Sequence, residues 1–305
     1  MSHSLAVFLL ILVNLLWSTA GVVTRHLDSA PSFEVTFWRS TFTALCLAIA
    51  LSVIRGPGFL LRLQYLPKAV WISGICWSIM FTAFMVAITL TTVANVLIVI
   101  AIGPLVTALF ARFFLSHKLP SVTWLAIGVT GLGIVWMFLH EGDGTLSMAG
   151  TLVALAVPLA AAVNLTILQH VGMRRGGTVV SGDKPRDMLQ AVMIGATISA
   201  LATLPMSWPF QASAHDLGLL SLLGIFQVGL PCLLVVRLTR ELPAPEISLI
   251  NQLEVIFGVA WAWLWAGEHL SANTLSGGTL VLGALAANEL ARISRKRKAM
   301  AIINC

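Results

Sequence analysis

Apolar residues run along this chain in long stretches, without the regular polar interruptions of elements buried on one face only. Val70–Leu90, Val93–Ala111 and Val122–Leu139 contain no Asp, Glu, Lys or Arg. Each is close to the about 20 residues that a helix rising 1.5 Å per residue needs to cross roughly 30 Å of hydrocarbon. Breaks at Gly, Pro and charge clusters divide the chain into ten predicted spans, at 5–25, 33–54, 69–90, 93–115, 121–140, 148–170, 187–207, 217–238, 243–266 and 273–292. The link at Thr91–Thr92 is short enough to predict a tight antiparallel hairpin of the third and fourth spans. Gly172–Arg186, with Arg174, Arg175, two adjacent glycines, Lys184 and Pro185, reads as a solvated connector between two halves.

Composition makes the membrane reading general. Of 305 residues 58% are hydrophobic and 10% charged, and the mean hydropathy is +0.94. An ordinary soluble domain is about a quarter charged, so the expected fold is an all-α polytopic membrane protein. The N-terminus has no basic region before its first apolar run and no small-residue cleavage site after it, so that run is read as a retained span. Cys46, Cys76 and Cys232 lie inside apolar runs and Cys305 is the last residue, so no metal or disulfide spacing appears.

The net charge of +6 follows a topological pattern. With both termini inside, eleven Lys/Arg fall in inner loops and five in the C-terminal tail, sixteen of the 18 in all. Arg25 lies at an outer end and Arg39 within a span. Cytoplasmic loops retain basic residues, so the termini are expected in the cytoplasm of a cell whose inner membrane the chain crosses. The tail Arg292, Arg295, Lys296, Arg297 and Lys298 is read as an anchor to anionic lipid, with no nucleic-acid partner.

The halves resemble each other. Val93–Gly128 can be laid over Pro243–Gly278 at a shift near 150 residues, matching an apolar span, a short polar corner and a Gly-containing span. Five spans per half is an odd number, so the second half must enter from the opposite side. The expected domains are therefore 1–140 and 141–305, two inverted five-helix repeats around a central cavity, an arrangement found in secondary transporters.

Specific residues strengthen this. Asn14-Leu15-Leu16-Trp17-Ser18 in the first span, Phe37-Trp38-Arg39 in the second, Gly103-Pro104-Leu105 in the fourth, and Leu253-Glu254 followed by Gly267-Glu268-His269-Leu270 occur in an order that resembles the EamA-type members of the drug/metabolite transporter superfamily. The resemblance covers nearly the whole chain. It implies ten helices around a cavity and movement of small metabolites, often amino acids, across the bacterial inner membrane. Val255 stands where the family usually has a proline after the ninth-span Glu, so a kink there is in question.

Ionisable groups in hydrocarbon are costly and therefore informative. Glu254 lies roughly 16 Å along its helix from Pro243, near the midplane, on one face with Ser248, Asn251, Gly258, Trp261 and Trp265. It is a candidate for binding a substrate amine or a coupling proton, or for tying two helices together. Arg39 lies roughly 10 Å into its span; it suits a substrate carboxylate, outward snorkelling, or pairing with Glu34 or Glu268. Asn14, Trp17, Ser18, Trp77, Ser78, Asn164 and Gln227 are candidates for lining the cavity or for interhelical hydrogen bonding. Pro104, Pro158 and Pro231 fall inside spans, as hinges or static kinks. Gly128, Gly131 and Gly133 read as a helix-packing face.

The chain has no His-Glu-x-x-His, Gly-x-Ser-x-Gly or phosphate-loop motif, so it is not expected to be an enzyme, and no cofactor is implied. Sugar phosphates would need several cavity cations, and lipophilic-cation exporters of the small multidrug type use a carboxylate where Asn14 stands. One buried acid, one base and many amides and aromatics point to an amino acid or similar zwitterion as the small-molecule partner, with proton coupling as an open question. A drug exporter or a membrane receptor is the alternative.

Overall fold

The computed structural model describes residues 3–56, 58, 63, 65–114, 120–139, 147–174, 184–238, 242, 244–265, 267 and 272–303. These form helices and short connecting turns. The helices are α1 (His3–Ser18), α2 (Ala20–Arg25), α3 (Ser32–Arg55), α4 (Lys68–Leu90), α5 (Val93–Ala101), α6 (Gly103–Phe114), α7 (Ser121–Leu139), α8 (Met148–Arg174), α9 (Lys184–Ser207), α10 (Ala214–Leu222), α11 (Leu230–Leu238), α12 (Ala244–Leu264) and α13 (Ala272–Ile303). A π-helical turn, Leu223–Gly229, joins α10 to α11.

Six segments are long and apolar enough to cross a membrane among the described residues: His3–Arg25, Ser32–Arg55, Lys68–Leu90, Val93–Phe114, Leu189–Ser207 and Ala214–Val235. Ser121–Trp136, Met148–Asn164, Leu253–Leu264 and Leu275–Asn288 are shorter apolar helices. Side chains are distributed inside out. Phe8, Ile49, Val53, Leu125 and Leu132 are exposed, whereas Asn14, Thr36, Ser40, Thr43, Asn95 and Ser199 are buried. In water this would be unstable; in lipid the outer apolar shell is solvated and hydrogen-bonding groups turn inward.

Three of the predicted spans are interrupted helices. At the α1–α2 junction the Ser18 and Thr19 hydroxyls donate to the carbonyls of Leu15 and Leu16, both at 2.7 Å. Back-bonding of this kind bends helices. At the α5–α6 junction Pro104 contributes no amide hydrogen, and the chain tightens so that Ile102 N–H reaches Val99 O. In the third case Pro231 cannot donate to the carbonyl four residues back, at Gln227. The preceding turn widens, and Leu230 N–H bonds to Ile225 O instead. Pro158, by contrast, sits inside the continuous α8.

Neighbouring helices are paired in defined directions. α3 and α9 are antiparallel: Ser40 Oγ donates to Ser199 Oγ (3.1 Å), while Leu47 and Leu51 meet Leu189, Val192 and Met193. α7 and α13 are also antiparallel, joined by Thr123 to Asn288 (2.9 Å) and Trp136 to Ser276 (3.1 Å). α4 runs parallel to α9, with Val70 near Ala191 and Thr82 bonded to Ser199 (2.9 Å). α3 runs parallel to the π turn and α11, with Thr43 on Gly224 O and Cys46 against Gly229. α1 is parallel to α12, and α5–α6 is parallel to α8 through Asn95–Thr151 and Gly103–Pro158. α4 opposes α8, and α1 opposes the α10–α11 span.

Some sequence expectations need correction here. The Thr91–Thr92 link is as short as predicted, and Thr92 caps α5 by accepting from Asn95 N–H. Yet α4 packs chiefly on α8 and α9 and α5 on α8 and α12, so the pair diverges. Both find larger complementary faces there than on each other. Of the three glycines on α7 only Gly133 packs, against Gly277 and Val281 of α13; Gly128 and Gly131 face open space. The basic tail is a helical continuation, since α13 runs on to Ile303.

Gly224 is where two backbones come closest around the π turn. A Cβ there would lie 2.5 Å from Phe42 Cβ and 2.7 Å from the Arg39 carbonyl oxygen. Gly224→Ala is therefore expected to lower stability by about 1–3 kcal/mol through overpacking. Gly128→Ala, with nothing within 4 Å, should leave stability unchanged or raise it by up to about 1 kcal/mol through helix propensity. Thermal unfolding of both variants in detergent checks the pair.

Candidate functional site

The interrupted first and eighth spans bring their polar side chains to one junction with α3 and α12. Asn14, fully buried on α1, donates through Nδ2 to Leu10 O (2.7 Å) and to Asn251 Oδ1 on α12 (3.3 Å). Its own Oδ1 is buried without a partner. One turn further on, Ser18 Oγ accepts from Trp261 Nε1 at 3.0 Å. Gly258 lets α12 come up against Ser18 O and Leu97.

Glu254 is half-buried on α12. On the helical wheel it falls between Gly258 and Trp261, both of which touch α1, so it belongs to the α1-facing side of its helix. Val255, at the position where the family usually has proline, is buried in the core with Leu97 and Leu105, and α12 continues through it unbroken.

Gln227 is the hub. The π turn presents its amide toward α3 and α1 at once. Oε1 accepts from Arg39 Nη2 (2.8 Å) and Nε (3.3 Å), and Nε2 donates to the Trp17 carbonyl at 2.9 Å. Arg39 is 4% exposed, and its guanidinium carbon lies 5.7 Å from the ring centres of both Phe81 and Phe84 on α4. Two aromatic faces and one amide oxygen thus hold a cation in the bundle interior.

The pairing of Arg39 with Glu34 considered from the sequence does not occur. Glu34 is fully buried, but its oxygens accept from Gln211 N (2.8 Å), Ala212 N (3.0 Å) and Trp38 Nε1 (3.2 Å). Backbone amides in the α9–α10 link outcompete the guanidinium, which lies deeper along α3. Glu268 lies outside the described residues, and among the described residues no carboxylate reaches Arg39. It does not snorkel outward.

The remaining candidates are more dispersed. Trp77 and Ser78 on α4 meet Gly195 of α9; the Trp77 ring lies 5.5 Å from that of Phe81 at a tilt of 40°, which connects it to Arg39, and its Nε1 is buried and unpartnered. Asn164 is buried on α8 with Oδ1 unpartnered. Sequence reasoning missed Trp261 as a hydrogen-bond donor to Ser18, although both residues were placed on polar stripes. It also missed the second polar cluster, where Asn95 donates to Thr151 (2.7 Å) and Thr91 (3.2 Å) and leaves its Oδ1 unpartnered.

One set with metal-ligand spacing occurs among the described residues, Asp28, His215 and Asp216. Asp216 already accepts from Asp28 N, Ser29 N, Ser29 Oγ and Ser213 N, so its lone pairs are taken. A groove of about 510 Å³ opens between α7 and α13, beside Val129, Thr279 and Leu280, and is apolar. It is separate from the polar junction, whose Asn14, Arg39 and Gln227 are packed away from solvent.

The profile of the EamA-like transporter family matches residues 4–139 and again residues 148–288. The chain belongs to the EamA-like transporter family. It is 23% identical to the pseudopaline exporter CntI of Pseudomonas aeruginosa over 96% of each chain. The uncharacterized transporter YdfC of Bacillus subtilis is 25% identical over 63% of this chain and 60% of that one. A solved crystal structure superposes with a TM-score of 0.60 at 20% identity, covering 95% of this chain and 98% of its own, and so shares the fold. The protein is thus a multi-pass membrane transporter.

The junction yields a stability prediction. Gln227→Leu removes the described polar partner of a buried cation and strands its donors; hydrogen bonds to charged groups are worth about 1.5–3 kcal/mol. The variant should lose about that much stability in detergent, whereas Asn164→Leu, whose carbonyl oxygen has no partner to lose, should be close to neutral. Denaturant unfolding monitored by circular dichroism measures both.

Proposed function

We propose that this protein is a secondary carrier of the bacterial inner membrane that exports amino acids or similar zwitterionic metabolites by alternating access between two inverted five-span repeats. Helix directions support the repeat. Taking the spans in order as α1–α2, α3, α4, α5–α6, α7, α8, α9, α10–α11, α12 and α13, exchange each span with the one five places away. The parallel pair α4/α9 then maps on the parallel pair formed by α3 and the π-turn span, and α5–α6/α8 maps on α1/α12, also parallel. The antiparallel pair α4/α8 maps on the antiparallel pair formed by α1 and the π-turn span. α3/α9 and α7/α13 map on themselves and are antiparallel. A two-fold axis lying in the membrane plane relates spans of opposite direction, as the self-paired spans are, and the two family matches, one per half, fit a division at 1–140 and 141–305.

The observation that carries the substrate class is the charge inventory of the junction. One cation, Arg39, has neutral partners, and one carboxylate, Glu254, lies on the α1-facing side of α12 among amides and an indole. In this reading Arg39 receives a carboxylate and Glu254 an ammonium group or a coupling proton, while Asn14 Oδ1 offers a further acceptor. The breaks at Pro104 and before Pro231 supply the hinges. The basic residues at 292–298 keep both termini in the cytoplasm, and export is the direction that the name of the Pseudomonas relative states.

Reconstitution tests this directly. Proteoliposomes containing the full chain should take up labelled amino acids from a panel, faster with a proton gradient than without, and Glu254→Gln should abolish the gradient effect. Uptake of none of the panel, with uptake of a lipophilic cation instead, would replace the substrate class. Equal gradient dependence in Glu254→Gln would remove this acid from coupling.

A further inference from the structure

At one end of the bundle two buried carboxylates hold each other's chain segments. Glu34, at the start of α3 in the first half, accepts the backbone N–H groups of Gln211 and Ala212 in the second (2.8 and 3.0 Å). Asp216, at the start of α10 in the second half, accepts those of Asp28 and Ser29 in the first (2.8 and 3.2 Å), with Ser29 Oγ at 3.0 Å. Ser29 Oγ also lies 2.7 Å from the Gln211 carbonyl oxygen. Neither carboxylate is accessible to solvent, and outside them Asp28 and His215 meet at 3.0 Å on the surface.

We propose that this reciprocal carboxylate clasp is the gate that closes one face of the transporter, and that it must release for the polar junction to open there. The inference rests on the alternating-access reading above. Each carboxylate stands at the head of a helix that reaches the junction: Arg39 follows Glu34 by little more than one turn of α3, and α10 leads directly into the π turn bearing Gln227. Beneath the clasp Phe37 and Trp38 of α3 pack on Phe210 of the α9–α10 link, at 5.3 and 5.2 Å between ring centres. Val35 is sealed in a cluster with Leu220 and Leu223. Separating α3 from α10 would therefore open the buried cluster of Val35, Leu220 and Leu223, beyond which Arg39 lies.

The chemistry suits a reversible contact. Hydrogen bonds from backbone amides to a carboxylate are charge-assisted and strong while dry. When the segments part, water solvates the freed amides and both carboxylates, so no charge is stranded. Because each half contributes one carboxylate and one pair of amides, neither segment can withdraw without releasing the other.

Thiol accessibility of the purified full chain, with Cys46, Cys76, Cys232 and Cys305 replaced and Val35→Cys as reporter, reads the gate without any substrate. The Glu34→Gln/Asp216→Asn pair should make this cysteine react about tenfold faster with a polar maleimide, as expected for loss of charge-assisted bonds worth about one decade of an opening equilibrium. An unchanged rate in a variant that still melts in one cooperative transition overturns the proposal. Should that variant not fold, Asp28→Cys/His215→Cys in the protein with both carboxylates intact decides it. A short disulfide-containing bifunctional thiol reagent bridging the two should slow reporter labelling and arrest transport until reduced. Full turnover with the bridge in place would sink the gate while leaving the carrier reading intact, and absence of any transported compound would leave the labelling result standing.

Discussion

The structure depends on what a hydrogen-bonding group costs when lipid takes the place of water. An unsatisfied amide or hydroxyl in hydrocarbon costs several kcal/mol, and a charge costs more. Helices settle the backbone account, so side chains decide how they assemble. The described interior is accordingly laced with Ser, Thr, Asn and Gln bonded to one another or to carbonyls, as in Ser40–Ser199, Thr43–Gly224 O and Asn95–Thr151. The surface carries Val53, Leu132 and Ile49. Small residues complete the arrangement: Gly224 and Gly229 bring the eighth span against α3, close enough for Gln227 to reach Arg39.

Most of the helical framework was legible in the sequence because uncharged stretches of membrane length have few other uses. The corner at Gly267 was legible too, and its φ of 66° is the left-handed geometry that glycine supplies after a helix. Pro104 does stand at a break, whereas Pro158, which lacks the same amide hydrogen, lies inside the continuous α8. The other interruptions were less accessible. Ser18 and Thr19 bend α1 only because their hydroxyls turn back on the helix, a choice that depends on Trp261 and the packing of α12. Pro231 announced a kink but not its form; the π turn that satisfies it depends on neighbours some 190 residues away in sequence.

At the candidate site the sequence supplied most of the residues and few of the pairings. Asn14, Ser18, Gln227, Arg39 and Asn251 were all singled out, and they do come together. Pairing with Glu34 was one of the alternatives for Arg39, and it fails because backbone amides, which carry no sequence signature, take the carboxylate. A carboxylate one turn from an arginine suggests an ion pair, and nothing local reveals that Gln211 and Ala212 present two N–H groups to it. The α7 glycines misled for the opposite reason. Their spacing looks like a packing face, but only a neighbouring helix can make it one, and α13 covers Gly133 alone.

Nearly every polar contact at the junction crosses between the first and second halves of the chain. Asn14 meets Asn251, Ser18 meets Trp261, Gln227 meets both Arg39 and the Trp17 carbonyl, and Ser40 meets Ser199. Apolar side chains cross between the halves as well, as where Leu47 and Leu51 meet Leu189, Val192 and Met193. Halves joined through discrete hydrogen bonds can exchange one set for another as they rock, because each bond has an alternative in water or in a bound polar ligand. The use of Gln227 opposite Arg39 extends the same logic. A carboxylate there would fix the guanidinium in an ion pair whose rupture strands a charge, whereas a neutral amide holds the cation in place and leaves it able to accept an anionic partner.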